Sequence, residues 1–208
     1  MVQDQNQFED DVQNWKQEIK LGQCPKISSE RMMQRGLDLL PSEVNAAMIR
    51  YQAEAITDYL IQNKYYYPQA FLWIQQIINR GIKIIFSTTN YQEGALGFID
   101  SLIKHQLISQ QDAEIITITG SQINWQTQSI DHFNMAEGKV FGIINTLKIS
   151  ESDLVENTQG VYIDDPTGND KALIDLTKNV YVIINEKNRD LNLASHCQLT
   201  TWQDIIKT

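Results

Sequence analysis

The sequence predicts an α/β protein: a parallel β-sheet flanked by helices, with an N-terminal helical subdomain ahead of it. Three observations lead there. From Tyr66 onward, short runs rich in β-branched residues alternate with helical runs, the pattern of parallel strands joined by right-handed crossovers. Before Tyr66, apolar residues recur only at helical spacing. A chain of 208 residues that is 42% hydrophobic buries one sizeable core. The expected division is a helical, cap-like subdomain over residues 1–65 and an α/β body over residues 66–208.

Taken in order, "QFEDDVQNWKQEIKLG" places Phe8, Val12, Trp15 and Ile19 on one helical face, with Gly22 as the stop. "SSERMMQRGLDLL" is a helix between serine caps and Pro41. "PSEVNAAMIRYQAEAITDYLIQN" is a helix with Pro41 in its first turn and an apolar stripe of Val44, Ala47, Met48, Tyr51, Ala55 and Tyr59. "PQAFLWIQQIINRG" is a helix closed by Gly81. "IKIIFSTTN" follows at once, too short for a helix and β-branched, and so reads as a buried strand. "YQEGALGFIDSLIKHQLI" is helical, "AEIITITG" a strand, "AEGKVFGIINTL" a helix and "GVYIDD" a strand. "KALIDLTKN" is a helix, "VYVIIN" a strand, and "TWQDII" a short closing helix. The chain shows no repeat and no low-complexity tract.

The formal net charge of -9 argues against nucleic acid and against an anionic membrane surface, and points to neutral or basic partners. No apolar run approaches the roughly 18 to 20 residues that span a bilayer. The polar, acidic start "MVQDQNQFEDD" is unlike a signal peptide. Cys24 and Cys197 match no metal or redox spacing, so they read as free thiols in a reducing, cytoplasmic compartment.

Ligands of open α/β sheets sit at the carboxyl ends of strands. One such end presents Ser87, Thr88 and Thr89, hydroxyls suited to a phosphate oxygen. Another presents Asp164 and Asp165, with Asp170 nearby, oxygen ligands suited to magnesium. Lys139 opens a helix between them, where lysine and helix N-terminus both attract anions. Each has a plainer reading: Ser and Thr are helix caps, Asp-Pro-Thr-Gly-Asn-Asp is a turn, and a lysine is a surface residue. His105, His132 and His196 stand alone as structural or surface residues. Trp125, in a polar stretch, reads as an exposed aromatic. Tyr65 and Tyr66 belong to "KYYYPQAFLW", a cluster that serves either as core or as a partner groove.

This order of Ser/Thr-ended strand, lysine and Asp-ended strand resembles the haloacid dehalogenase (HAD)-like phosphatase superfamily, in the branch with a helical cap. The resemblance covers roughly the last two-thirds of the chain, from "YYPQAFLWIQQIINRGIKIIFSTTN" onward. It implies a Rossmannoid fold, with Ser87 or Thr88 as phosphate binder, Lys139 as neutralising lysine and Asp165 and Asp170 as metal aspartates. The family's nucleophile, the first Asp of DxDx[TV] on a central strand, has no counterpart. "MVQDQNQ" offers only Asp4, without an apolar run before it. "PTGND" also spaces the later aspartates one residue wide, and Pro166 removes a backbone donor.

Losing the nucleophile removes the covalent route. The expected function is therefore a non-catalytic adaptor on a degenerate scaffold, with no cofactor and with other proteins as partners. The alternative is a magnesium-dependent phosphatase or phosphate-ester binder using Asp4; a phospho-ligand sensor is a third reading. Length, acidity and Gln/Asn/Ile/Lys-rich composition are similar to an adaptor of bacterial type IVB secretion coupling complexes. That similarity implies docking on a small acidic secretion chaperone pair (IcmS–IcmW) and presentation of effector proteins.

Overall fold

The computed structural model describes residues 2–21, 23–186, 188–191 and 193–206, with side chains from residue 8 onward; Gly22, the expected helix stop, lies outside them. Helices α1 (Val2–Lys20), α2 (Lys26–Asp38) and α3 (Ala46–Gln62) come first. Then follow α4 (Pro68–Asn79), β1 (Ile84–Tyr91), α5 (Gln92–Lys104), α6 (Gln110–Ile115), β2 (Ile116–Asn124) and β3 (Ser129–His132). The chain continues through α7 (Glu137–Leu147), α8 (Glu151–Asn157), β4 (Val161–Ile163) and a 3-10 helix (Lys171–Leu176). It finishes with β5 (Val180–Ile183), β6 (Cys197–Thr200) and α9 (Trp202–Ile205).

The fold is mixed α/β, but the sheet is divided. β1 pairs parallel with β2, which pairs antiparallel with β3. β4, β5 and β6 form a second, all-parallel sheet. The single parallel sheet expected from the alternation is thus two sheets of three strands, with β1 and β4 each at an edge. The β2–β3 hairpin turns through Gln128, a non-glycine residue at φ 51°, and so carries no Asn-Gly signal in the sequence. α3 begins at Ala46 rather than in the Pro41 turn, because the Asn45 side chain accepts the Met48 N–H at 3.2 Å.

Two apolar clusters hold these layers. Phe71, Ile74 and Ile78 of α4 meet Ile84, Ile99, Leu102 and Ile116, covering one face of the first sheet with α4 and α5. Ile143 of α7 and Leu154 of α8 meet Val161, Ile163, Val180 and Val182 of the second sheet. Ile85 of β1 packs against this second cluster, so α7 lies beneath both sheets. Fully burying each such side chain contributes about 1.5–3 kcal/mol.

Helix α3 lies along α5. A Cβ on Gly97 would come 2.1 Å from the Arg50 carbonyl oxygen, so only glycine permits this approach. Arg50 pairs with Asp100 through two bonds of 2.5 and 2.7 Å. Asp58 accepts from Lys104 Nζ (2.5 Å) and Ser101 Oγ (2.6 Å) and faces His105 Nε2 (3.0 Å). This polar, small-residue face docks α3 inward. Met48, Tyr51, Ala55 and Tyr59 of the apolar stripe therefore face solvent. Among the described residues no helix is long and apolar enough to cross a membrane.

The Lys104 and Ser101 hydrogen bonds, ahead of His105, hold the Asp58 carboxyl at a pKa of about 2, below its ordinary 3.8. A depressed acid stabilises the fold above its unfolded pKa and loses that contribution as pH falls through the folded value. Asp58→Asn is expected to lower Tm by a few degrees at pH 7. The gap from the parent should close between about pH 4 and pH 2, as measured by thermal unfolding followed by circular dichroism. A gap independent of pH over that range would contradict the assignment.

Candidate functional site

Lys139 joins β1 at Ser87, midway along the strand where its regular pairing with β2 breaks, to the loop after β4. The sequence "FNMAEGK" winds tightly before α7: Ala136 takes φ 51°, its N–H donates to Asn169 O at 3.0 Å, and a Cβ on Gly138 would sit 2.2 Å from Phe133 O. This turn drives Lys139 inward, where it is only 4% exposed. Its Nζ donates to Asp170 Oδ1 at 2.5 Å and to the Ser87 carbonyl at 3.2 Å. The residue read as either a phosphate-neutralising or a surface lysine is a buried ion-pair partner.

The aspartate loop closes on itself. Asp165 Oδ1 accepts from Gly168 N at 3.0 Å and Oδ2 from Asn169 N at 2.9 Å. Asp170 Oδ2 accepts from Asp165 N at 3.3 Å. Asp164 has a different environment: its carbonyl accepts from Asn185 Nδ2 and Asn188 Nδ2, while its side chain is exposed. Partial desolvation first, then the Asp170 and Asp165 charges, push the Asp164 carboxyl above the ordinary carboxylate range. Among the described residues no three His, Cys, Asp or Glu side chains are grouped to hold a metal ion. Asp4 lies on helix α1, not at a strand end.

The hydroxyls divide in the same way. Ser87 Oγ accepts from Asn134 Nδ2 at 3.1 Å, and Thr88 Oγ1 accepts from Asn90 N at 3.2 Å. Thr89 Oγ1 is buried with no hydrogen-bond partner among the described residues. Asn134, which the sequence reading missed, is fully buried and ties the centre together. Its Nδ2 also reaches Thr88 O (2.7 Å) and Thr119 O (3.3 Å), and its N–H donates to Ser121 Oγ (3.1 Å). One asparagine in a polar stretch carries no sequence signal for this role.

Ser87, Thr88, Thr89, Lys139, Asp164 and Asp170 all open on one cavity of about 1650 Å³ between β1 and β4. That exceeds the roughly 300–1,000 Å³ of ordinary small-ligand clefts. Asp165, by contrast, belongs to the loop beside it. Trp125 is half-buried rather than exposed: its indole donates to Glu93 at 3.1 Å and packs edge-on to Tyr91. Tyr66 packs against Phe71 and the first core, whereas Tyr65 is 67% exposed. Both cysteines are free thiols. His105 faces Asp58, and His132 faces Asn134 at 3.3 Å. His196 lies 3.4 Å from the Ile174 carbonyl.

The chain matches no family model and shows no significant similarity to a curated protein or to a solved structure.

Lys139→Met leaves the Asp170 carboxylate buried without its cation and is expected to cost about 3–5 kcal/mol. The double variant Lys139→Met/Asp170→Leu, with no buried charge, should recover most of that loss in urea unfolding. Equal destabilisation of single and double variants would contradict a buried ion pair whose main demand is mutual neutralisation.

Proposed function

We propose that the chain is a non-catalytic adaptor that binds other polypeptides, built on a degenerate HAD-like scaffold. The observation that carries this reading is the outward stripe of α3. Tyr51 is 66% and Tyr59 60% exposed, with Met48 on the same face and Tyr65 and Tyr67 on the loop that follows. A contiguous apolar and aromatic face on a helix already docked by its opposite side is the usual form of a protein-binding surface. The aspartate chemistry supports the same reading, because Asp165 and Asp170 are engaged in loop closure and ion pairing.

In its more specific form the chain is a cytoplasmic adaptor similar to LvgA of a bacterial type IVB secretion coupling complex. Its partners would then be the chaperone pair IcmS–IcmW and effector proteins. The test is binding in isolation. Tyr51→Lys/Tyr59→Lys is expected to keep Tm within about 2 °C while weakening capture of the purified IcmS–IcmW pair at least tenfold. Unchanged capture by the folded variant would remove α3 from the interface, and no capture by the parent would remove this partner.

The second reading, a magnesium-dependent phosphatase or phosphate-ester binder, draws on the hydroxyls of β1 opening toward Lys139. Turnover of a generic phosphomonoester with magnesium, lost in Asp165→Ala, would establish it in place of the adaptor.

A further inference from the structure

Arg80, just ahead of β1, acts electrostatically on Tyr162 of β4, whereas Ser87, further along β1, shares Lys139 with the Asp170 beyond β4, so the two strands run in the same direction on either side of the cavity. Every residue from Ile84 to Asn90 and from Gly160 to Asp164 lines the space between them. Among the described residues neither strand has a ladder partner on that side: β1 pairs with β2, and β4 with β5. The layer that should continue across is nonetheless built. α7 closes one face with Ile143 and Leu147. On the other face, Trp73 of α4 packs on Tyr162 at 4.3 Å and on Trp202 at 5.9 Å, and Tyr162 stacks on Tyr181 at 4.7 Å. β1 reads in sequence as a fully buried strand, yet Ile85 through Thr89 are only half-buried along this opening.

A space walled by two strand edges and covered by helices on both faces presents the backbone groups with which an extended chain pairs. Apart from Ser87 O, which Lys139 already holds, the two edges satisfy the N–H and C=O groups on both sides of an inserted chain, which small ligands do not need. The charges are arranged lengthwise. At the amino end stand Arg80 and Lys83, both exposed and with no acidic partner among the described residues. At the carboxyl end stands Asp164, while Lys139 is already committed to Asp170.

We propose that this slot accepts a β-strand from another polypeptide, an apolar, β-branched segment with an acidic end over Arg80 and Lys83 and a basic end over Asp164. The inserted strand joins the two three-stranded sheets into one. The proposal rests on the reading of the chain as a polypeptide binder but uses a surface separate from α3.

The probe is a blocked synthetic peptide, Glu-Glu-Val-Thr-Val-Ile-Val-Lys-Lys, titrated into the full chain by calorimetry and by amide chemical shifts. Binding is expected with protection of amides in 84–89 and 161–163. The same peptide with proline at its centre should bind at least tenfold more weakly, because proline lacks an N–H for the ladder. Arg80→Glu/Lys83→Glu alters only exposed side chains. It should weaken the parent peptide tenfold and favour a version with lysines at both ends. Absence of binding, indifference to the central proline, or indifference to the charge swap overturns the slot. So does perturbation at α3 or at the outer edges β3 and β6, or closure of the slot by a second copy in concentrated protein. Each of these leaves the adaptor reading to stand or fall on the α3 variants.

Discussion

One buried ion pair sits where the two sheets meet, and each of its charges requires the other. Lys139 and Asp170 are each less than a tenth exposed, and their partners place them at the seam of the molecule. The ammonium reaches from α7 to the Ser87 carbonyl of β1 and to the aspartate that closes the loop after β4. Neither charge is tolerable there alone, and together they link α7, β1 and the loop after β4. Asn134 performs the neutral version of the same task, spanning β1 and β2 from the turn before α7. The polar centre is thus a fastening, and the residues that looked like chemistry are largely occupied in making it.

What the fastening leaves open follows from the strand pairing. Parallel strands are ordinarily buried on both edges and both faces, and their sequences are apolar throughout. β1 has that sequence but one bonded edge, and β4 is in the same position. A protein that leaves two such edges facing a common space invites pairing with another chain. The aromatic wall of Trp73, Tyr162, Tyr181 and Trp202 keeps one side of that space apolar, and α7 keeps the other. The α3 stripe adds a second unpartnered apolar surface on a different part of the molecule.

Much of this was legible in the sequence where periodicity and stop signals coincide. In the α4–β1–α5 run, where Pro68 opens α4 and Gly81 separates it from β1, the elements fall where the pattern places them. α8 and β6 were not seen, because seven and four residues are too few to establish a period. The direction of the α3 stripe is not legible in the sequence, for a physical reason. Hydrophobic periodicity identifies an apolar face but not what covers it, and Gly97, Asp58 and Arg50 anchor the opposite face instead. At the site, Ser87, Thr88, Asp164 and Asp170 do converge with Lys139 on one cavity, although Ser87 and Thr88 lie within β1 rather than at its end. Their hydrogen bonding was invisible in sequence, since it depends on the positive φ of Ala136 and on loop closure through Asp165.

The division of the sheet is tested most directly by native-state amide exchange of the chain alone. Slot-facing amides of β1 and β4 are predicted to exchange at least a hundredfold faster than the ladder amides of β2 and β5, which open only with the core. Protection of β1 and β4 equal to that of β2 and β5, on both sides of each strand, would mean that the sheet is continuous and the slot does not exist.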